Sequence, residues 1–462
     1  MAFVPILLDN AFAGAAMIKD FYRFIHLSDI HFGQEKNGTI VIHEDARKKL
    51  INDCAEFASV NGPADGILVV GDIAYAGQPD EYKKAAEWLK AVAKAGGCEE
   101  FSVRTIPGNH DIDRDKIKTN VYCRNAHTEI RGANLAHLDG KLEEHLAVAE
   151  ESNALLPKVS AYREFASRFD CDFPSLKKPC WSKDYRLGRQ FVLRFLGMNS
   201  VQVCDGDDTE GNMVLGNNQY VIDEDSNVVP IAMIHHPLTW FKDKAKAKTY
   251  LHRAPILLFG HEHTQGFEKV ENQHGQTQLH VFSGAVNPPE GSPEYPFRYN
   301  WLEFRLVGEP PARKLSLSLW PKVWSFQETK YVLDRQGLVE KQFHTFDVPC
   351  PKFEPEAVVA AAPAPAGPDE SCELPREVTM QEPDRDFERL KYYFWTYLGW
   401  QERVKALSSL DVLPSTITQP QPQTLEHLAL RAAQQKGRLR ELWDMTMAFV
   451  PPEDQAPNPF TK

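Results

Sequence analysis

Five short apolar stretches of this 462-residue sequence each end in aspartate, asparagine or histidine. The five endings are Asp29-Ile30-His31, Gly71-Asp72, Gly108-Asn109-His110-Asp111, His235-His236 and Gly260-His261-Glu262-His263. Divalent metals take oxygen and imidazole ligands, and two cations held close together need a carboxylate between them. The endings therefore predict a metal centre, with Asp72 as the bridging carboxylate.

Taken alone, each ending has a structural explanation. An aspartate after a strand is usually a cap or turn residue, and Gly-Asn is a common turn. A single His-x-His pair is more often solvent-exposed than metal-binding. The interpretation as a metal centre depends on all five endings occurring together, each directly after an apolar run.

The apolar runs are the elements that must position these side chains. They are rich in Val, Ile, Leu and Phe and are bounded by Gly, Asp, Asn or Pro, which is typical of β-strands. Strand ends meet at one edge of a sheet, where loops carry functional sites. The predicted strands span residues 23–27, 67–70, 102–106, 191–196, 229–234, 255–259, 279–282, 301–306 and 314–319.

Helical periodicity appears between the early strands, at residues 43–60 and 79–95. In the second of these helices Tyr82, Ala85 and Leu89 recur at helical spacing. Alternating strands and helices followed by consecutive strands predict two sheets packed together with helices outside. Residues 21–348 are predicted to form this domain, after an N-terminal tail at 1–20.

Residues 112–185 interrupt the pattern and are predicted to be mostly helical, with helices at 125–150 and 157–169. This insertion is interpreted either as a helical support or as a cap that selects substrate. Residues 349–385 are rich in alanine and proline, which is typical of an extended linker. Helical patterns at 386–452 then predict a small bundle, followed by a tail at 453–462.

Composition limits the classes of function. The net charge of -12 gives no support to a protein that coats nucleic acid, although a local basic patch stays open. The eight cysteines include no C-x-x-C pair, which argues against a zinc ribbon and favours a reducing cytoplasm. The first residues lack a basic n-region and contain Asp9, and no later stretch is long enough to span a membrane. We therefore expect a cytoplasmic protein without a membrane segment.

The five endings resemble the motifs of the calcineurin-like metallophosphoesterase superfamily, over about residues 22–320. The resemblance implies an α+β fold, a four-layer αββα sandwich, here with the helical insertion and a small C-terminal helical bundle. It also implies two divalent metal ions, with Mn expected and Fe or Zn as alternatives. One ion would be held by Asp29, His31, Asp72 and His263, and the other by Asp72, Asn109, His235 and His261. His235 is chosen over His236 because the family ligand usually lies two residues before the proline.

The same resemblance implies a mechanism in which a metal-bound hydroxide attacks phosphorus in line with the leaving oxygen. His110 would act on the leaving group as a general acid or as a cation, and Asp111 would orient it. Phosphoprotein phosphatases carry a second aspartate shortly after Gly-Asp, followed by Arg-Gly, whereas residues 71–77 read GDIAYAG. This form resembles the phosphodiesterase and nuclease branches.

Substrate contacts are predicted beside the metal centre. Residues 240–253 carry four lysines and an arginine, and Lys242 and Lys244 are the predicted contacts to a nucleotide or nucleic-acid phosphate. The alternative interpretation of this segment is a solvated helix face. Trp240, Phe241 and Tyr250 either stack on a base or belong to the core. Arg298, from the Pro- and Gly-rich segment 283–300, is a further predicted contact.

The C-terminal stretches LKYYFWTYLGWQERVKAL and GRLRELWDMTMAF resemble the effector-associated adaptor domains of prokaryotic conflict systems. The resemblance implies a protein partner, which exposed Trp395, Trp400 and Trp443 would favour. The alternative is a bundle that only packs against the catalytic domain. The leading hypothesis is a nuclease of a defence system. A cyclic or other small-nucleotide phosphodiesterase and a non-catalytic scaffold are the alternatives, and no oligomeric state is predicted.

Overall fold

The chain folds around two β-sheets in a computed structural model. The structure describes residues 19–460 apart from 36–39, 174, 189–190, 272–276, 290, 309–312, 337, 339–340 and 351–384. Most of the predicted N-terminal tail (1–20) and of the predicted linker (349–385) therefore lies outside the described residues.

The first sheet has the strand order β12-β11-β10-β1-β2-β3, and β13 also pairs with β11. Its parallel strands β1, β2 and β3 are joined by long helices, whereas β10 to β13 are antiparallel. The strands are β1 (Phe21–Leu27), β2 (Gly66–Val70), β3 (Val103–Ile106), β10 (Arg298–Val307), β11 (Lys314–Ser325), β12 (Lys330–Leu333) and β13 (His344–Pro349).

The second sheet has the order β4-β5-β6-β7-β9-β8. Its four inner strands are parallel, and the edge strands β4 and β8 are antiparallel to their neighbours. The strands are β4 (Cys180–Leu187), β5 (Phe191–Met198), β6 (Val228–Ile234), β7 (Ile256–Phe259), β8 (Gln265–Glu271) and β9 (Thr277–Ser283).

The main hydrophobic core lies between the two sheets. Phe24 and Phe304 of the first sheet contact Phe195 of the second, with ring centroids 5.1 and 5.7 Å apart. Each such fully buried side chain stabilises the fold by about 1.5–3 kcal/mol. The predicted α+β fold of two packed sheets with a C-terminal helical region is confirmed, and all nine predicted strands are present.

The two predicted helices between the first strands are also present, as α1 (Ile40–Asn61) and α2 (Pro79–Gly96). Proline at the first position and a reciprocal cap between Gln78 and Glu81 begin α2, and Gly97 in the left-handed conformation ends it. These helices carry the chain back so that β1, β2 and β3 run parallel and end at the same edge.

The segment 112–185 differs from its prediction in two ways. The single helix expected at 125–150 is divided at Ala133, whose extended backbone ends one helix before Asn134 caps the next turn. The last residues of the segment form β4, an edge strand of the second sheet. The helices are α3 (Arg114–Thr119), α4 (Val121–Gly132), α5 (Leu138–Leu146) and α6 (Ser160–Ser167), and two short ones follow later, α7 (Asn217–Tyr220) and α8 (Lys244–Leu251).

Four C-terminal helices form a separate hydrophobic cluster, α9 (Arg385–Tyr397), α10 (Trp400–Ser409), α11 (Gln423–Gln435) and α12 (Leu439–Met447). Trp395 and Trp443 are buried inside it, so the prediction that they are exposed is wrong. The bundle packs on the sheet domain, where Lys391 Nζ lies 2.6 Å from Asp170 Oδ2. Among the described helices, none has both the length and the apolar composition needed to cross a membrane.

Candidate metal centre

The seven predicted ligands come together where β1, β2, β3, β6 and β7 end. Because β1 to β3 are parallel, and β6 and β7 are parallel, their carboxyl ends lie at one edge of each sheet. The residues brought together are Asp29, His31, Asp72, Asn109, His235, His261 and His263.

Five of these residues have a left-handed backbone, which non-glycine residues rarely adopt. Their φ angles are 54° at Asp29, 50° at His31, 54° at Asp72, 68° at His261 and 56° at His263. Backbone hydrogen bonds from Asp29 N to Gly71 O (3.1 Å) and from His31 N to Asp72 O (3.0 Å) fix the first two loops together. Strain of this kind is typical of functional sites.

Glycines next to the ligands allow the loops to approach each other. A Cβ atom on Gly108 would lie 2.2 Å from Asp72 Oδ1, and one on Gly71 would lie 2.4 Å from His235 Nδ1. Any side chain at either position would therefore displace a ligand, which explains the glycine in the Gly-Asp and Gly-Asn motifs.

Asp72 lies at the middle of the cluster. Its Oδ2 atom is 3.1 Å from His31 Nε2 and 3.3 Å from His235 Nε2, and its Oδ1 atom accepts a hydrogen bond from His110 N at 2.7 Å. One carboxylate oxygen thus faces imidazoles from two different strands, which is the arrangement a bridging ligand needs.

The remaining ligands lie on either side of Asp72. His263 Nε2 is 3.3 Å from Asp29 Oδ1, and Asn109 Oδ1 is 3.2 Å from His235 Nε2 and 3.0 Å from His261 Nδ1. Two atoms bound about 2.1 Å from one ion are separated by roughly 3.0–3.4 Å at coordination angles of roughly 90–110°. The donor atoms therefore have the spacing and the mixed nitrogen and oxygen chemistry that a divalent ion requires.

Main-chain carbonyl groups orient two of the imidazoles. His235 Nδ1 donates to Val70 O at 2.7 Å, and His31 Nδ1 lies 3.4 Å from Asn287 O. The Nε2 atom of each ring is therefore directed at Asp72. Asn287, which is buried and also donates from its backbone N to Asp29 O at 3.0 Å, was not identified from the sequence. Its only sequence signal is its place after a strand, before Pro288-Pro289.

The electrostatics of the cluster favour a cation. Burial opposes ionisation of Asp72, but His235 and His31 hold the pKa of its carboxyl well below the usual range. Burial likewise opposes protonation of His235, but the Asp72 carboxylate raises the pKa of that imidazole to about 9. Among the described residues, no lysine or arginine forms an ion pair with Asp29 or Asp72.

Comparison with known proteins agrees with this geometry. Residues 22–265, more than half of the chain, match the family model of the calcineurin-like phosphoesterases. The chain belongs to this family. Residues 386–448 match the GTPase-associated adaptor domain, so the C-terminal bundle of this phosphoesterase is an adaptor domain.

Individual relatives of the phosphoesterase are distant. The metallophosphoesterase-like protein YydB of Bacillus subtilis is 26% identical over 287 residues, which cover 59% of this chain and 55% of YydB. The chain therefore spans about half the length of that relative. The solved structure of a conserved protein from Streptococcus pneumoniae, described as a predicted phosphoesterase, is 11% identical with a TM-score of 0.26, and the match covers 72% of this chain and 99% of that one. The NAD nucleotidase of Haemophilus influenzae is 11% identical, with a TM-score of 0.30, and the match covers 91% of this chain and 61% of that one.

The two adjacent histidines of the phosphoesterase have different surroundings. His235 faces Asp72 and Asn109, as above, whereas His236 Nδ1 is 2.9 Å from Ser200 Oγ. The Nε2 atom of His236 is buried and has no hydrogen-bond partner among the described residues. It lies in one group with the nitrogen atoms of His235 and His261, so His236 stands directly beside the centre.

His110 lies at the edge of the centre and is held by Tyr75. Its Nδ1 atom donates to Tyr75 O at 2.8 Å, and the two rings stack with centroids 5.0 Å apart. Asp111 does not contact the imidazole and instead accepts hydrogen bonds from Ala74 N (2.9 Å) and Gly108 N (2.9 Å). The orienting role expected for Asp111 therefore belongs to the Tyr75 carbonyl. Burial lowers the pKa of His110.

None of the three predicted substrate contacts is hydrogen-bonded to a predicted metal ligand within the described part of the chain. Lys242 Nζ donates to Arg131 O (2.6 Å) and Ala133 O (2.7 Å), which attaches it to the end of α4. Arg298 Nη1 lies 2.5 Å from Asp334 Oδ2. Lys244 is exposed at the first position of α8.

Proposed function

We propose that this phosphoesterase hydrolyses phosphodiester bonds of nucleic acid with two divalent metal ions, as a cytoplasmic defence effector. The observation that carries the proposal is Asp72 Oδ2, which lies 3.1 Å from His31 Nε2 and 3.3 Å from His235 Nε2, two imidazoles that follow different strands. Manganese is the expected metal, with iron or zinc as alternatives.

The proposed division of the ligands between two ions is the one that the family motifs imply. Asp29, His31, Asp72 and His263 would hold one ion, and Asp72, Asn109, His235 and His261 would hold the other. When bound, two such ions polarise a phosphoryl oxygen and lower the pKa of a water molecule. The protein supplies rigid positions for the donor atoms, because five of the residues are fixed in a left-handed backbone.

His110 is the proposed general acid. Its Nδ1 proton is engaged by Tyr75 O, so proton delivery to the leaving oxygen has to come from Nε2. Burial lowers its pKa, which makes the protonated imidazole a stronger acid. Phosphoprotein phosphatases carry a second aspartate shortly after their Gly-Asp motif, and Tyr75 stands near that place here. This difference supports a phosphodiester substrate over a phosphoprotein.

The adaptor domain supports a protein partner, since residues 386–448 match a domain of that kind. We propose that the partner brings the phosphoesterase to its substrate. Of the proposed phosphate contacts Lys242, Lys244 and Arg298, the exposed Lys244 is free to move toward a polymer, whereas the other two would first have to leave Arg131 and Asp334.

The test is a substrate panel with added manganese: bis-p-nitrophenyl phosphate, cyclic nucleotides, single-stranded DNA, duplex DNA and RNA. We expect cleavage of at least one polymer, and loss of that cleavage in His110→Ala. His137→Ala, which changes an exposed histidine at the start of α5, is the matched control and should cleave like the wild type. Cleavage of cyclic nucleotides without any polymer would contradict the nuclease assignment, and no hydrolysis of any substrate would favour a scaffold.

A further inference from the structure

A cavity of about 460 Å³ lies between α8 and the outer face of the second sheet. Its size is that of a small-molecule site. We propose that this cavity binds the base of a nucleotide. The proposal rests on the proposed function and adds a base-recognition site to the phosphoesterase.

The floor of the cavity is aromatic. Phe259 and Phe282, paired across β7 and β9, stack with centroids 5.3 Å apart, and the His280 ring lies edge-on to Phe259 at 5.2 Å. Both nitrogens of His280 are already engaged, by Glu268 Oε1 at 2.9 Å and Gln278 Oε1 at 2.9 Å. Phe259 and His280 are buried and Phe282 is half-buried, so the floor offers the ring of Phe282, with Phe259 stacked against it, to a flat heteroaromatic ring.

The rim of the cavity carries charges of both signs. Lys248 of α8 stands on one side and Glu268 and Glu271 of β8 on the other. Lys248 is exposed and forms no ion pair within the described part of the chain, whereas Lys246 on the same helix pairs with Asp139 outside the cavity. A nucleotide matches this rim, because its phosphate is an anion for Lys248 and its exocyclic amino groups are donors for a carboxylate.

The walls of the cavity continue into the metal centre along the chain. Pro237, Leu238 and Thr239 line the cavity and directly follow His235 and His236. Phe259, on the floor, precedes the ligand His261 by two residues. A base held here would therefore lie against the same two segments that position the metal ligands. The covalent bonds that join the base through the ribose to its phosphate would then limit where that phosphate can lie.

The experiment compares adenosine 5′-monophosphate with ribose 5-phosphate, which lacks the base, by titration calorimetry and saturation-transfer NMR on the metal-loaded full chain. Loss of one base-stacking ring weakens binding by about tenfold. We expect this for adenosine 5′-monophosphate in Phe282→Ala, with ribose 5-phosphate unchanged. Phe267→Ala is the matched control, because Phe267 lies on the neighbouring strand and contacts His344 and Phe346 instead.

Two further variants keep the test independent of the folding of Phe282→Ala. Gly266→Val projects into open space opposite Phe282 and should block the base, since a Cβ atom there meets nothing within 4 Å. Lys248→Ala should weaken the binding of both phosphates relative to Lys246→Ala. Wild-type affinity for adenosine 5′-monophosphate in both Phe282→Ala and Gly266→Val would overturn the proposal, as would equal affinity of the wild type for the two ligands. Absence of hydrolysis in the substrate panel would reject the proposed function. The affinities for adenosine 5′-monophosphate would still show whether the cavity binds a base, so the two failures can be distinguished.

Discussion

Two groups of acids and histidines in the described part of the chain, the metal centre and a second, partly buried group, differ in the source of their positive charge. The second group, the lysine cluster, consists of His127, Arg131, Lys158, Asp205 and Asp208. Lys158 Nζ donates to His127 Nε2 (2.9 Å), Gln202 O (2.9 Å) and Cys204 O (2.8 Å), which uses all three of its hydrogens.

The positive and negative side chains of the lysine cluster balance each other. Arg131 pairs with Asp205 at 2.7 Å and with Asp208 at 2.5 Å. Burial and then the Lys158 charge lower the pKa of His127 to about 4, so its imidazole is neutral and accepts the hydrogen bond. In the metal centre, by contrast, Asp29 and Asp72 face imidazoles alone among the described residues. The acids of the lysine cluster are therefore neutralised by a permanent cation, whereas Asp29 and Asp72 are neutralised only by imidazoles, which can release a proton when a metal ion binds.

The largest effect is expected from removing the bridging charge. Asp72→Asn should lower hydrolysis of bis-p-nitrophenyl phosphate by about 1,000-fold or more, equal to about 4 kcal/mol in the barrier. Metal content, measured by plasma mass spectrometry, should fall with it. Asp205→Asn removes a half-buried acid from the lysine cluster and should leave the metal content unchanged. Loss of metal in both variants would contradict the distinction between the two clusters.

Removing the internal cation should damage stability instead. Lys158→Met leaves two buried carbonyl groups without their donor and should lower the free energy of unfolding by about 3 kcal/mol. Urea unfolding measures this change, with Lys116→Met, an exposed lysine of α3, as control. A variant that unfolds like the wild type would show that the lysine cluster does not hold the insertion together.

Removing the metal with a chelator also tests the difference between the metal centre and the lysine cluster. Ions that bind the folded state at 100 times their dissociation constant stabilise it by about 2.7 kcal/mol. Removing them with EDTA should lower the unfolding midpoint of the wild type and of Lys158→Met alike, and should not affect Asp72→Asn. An EDTA effect of equal size in Asp72→Asn would place the stabilising metal elsewhere.

The smallest expected effect is a pH dependence carried by Lys158. Burial lowers its pKa from the ordinary 10.5 to about 8. The unfolded chain therefore binds more protons than the folded one between these values, and stability rises with pH there. The difference in unfolding free energy between wild type and Lys158→Met should grow by about 1 kcal/mol from pH 7 to pH 9. A constant difference over this range would contradict the lowered pKa of Lys158.

The residues that lie together in the candidate metal centre could be found from the sequence because coordination chemistry depends on residue type, and each of them follows an apolar run. Strands buried on both faces were predicted for the same reason. The edge strands β4, β8, β12 and β13 were missed, since exposed residues such as Glu268 and Lys269 of β8 interrupt their apolar character.

Other features depend on the backbone or on contacts distant in sequence. Asn287 orients His31 through its carbonyl group, which every residue type possesses, so its identity gives little signal. Lys158 and Asp205 are 47 positions apart, and they belong to one cluster only because the turn before α6 packs against the loop after β5.

The left-handed backbone at the five ligand residues lowers the stability of the folded state while it positions the donor atoms. Each costs the folded state roughly 1 kcal/mol relative to a right-handed conformation, and glycine would relieve that cost while removing a donor atom. Laboratory evolution for heat resistance in the presence of a chelator would therefore favour replacing these same five residues, whereas selection with saturating metal would retain them. The two selections should diverge at Asp29, His31, Asp72, His261 and His263.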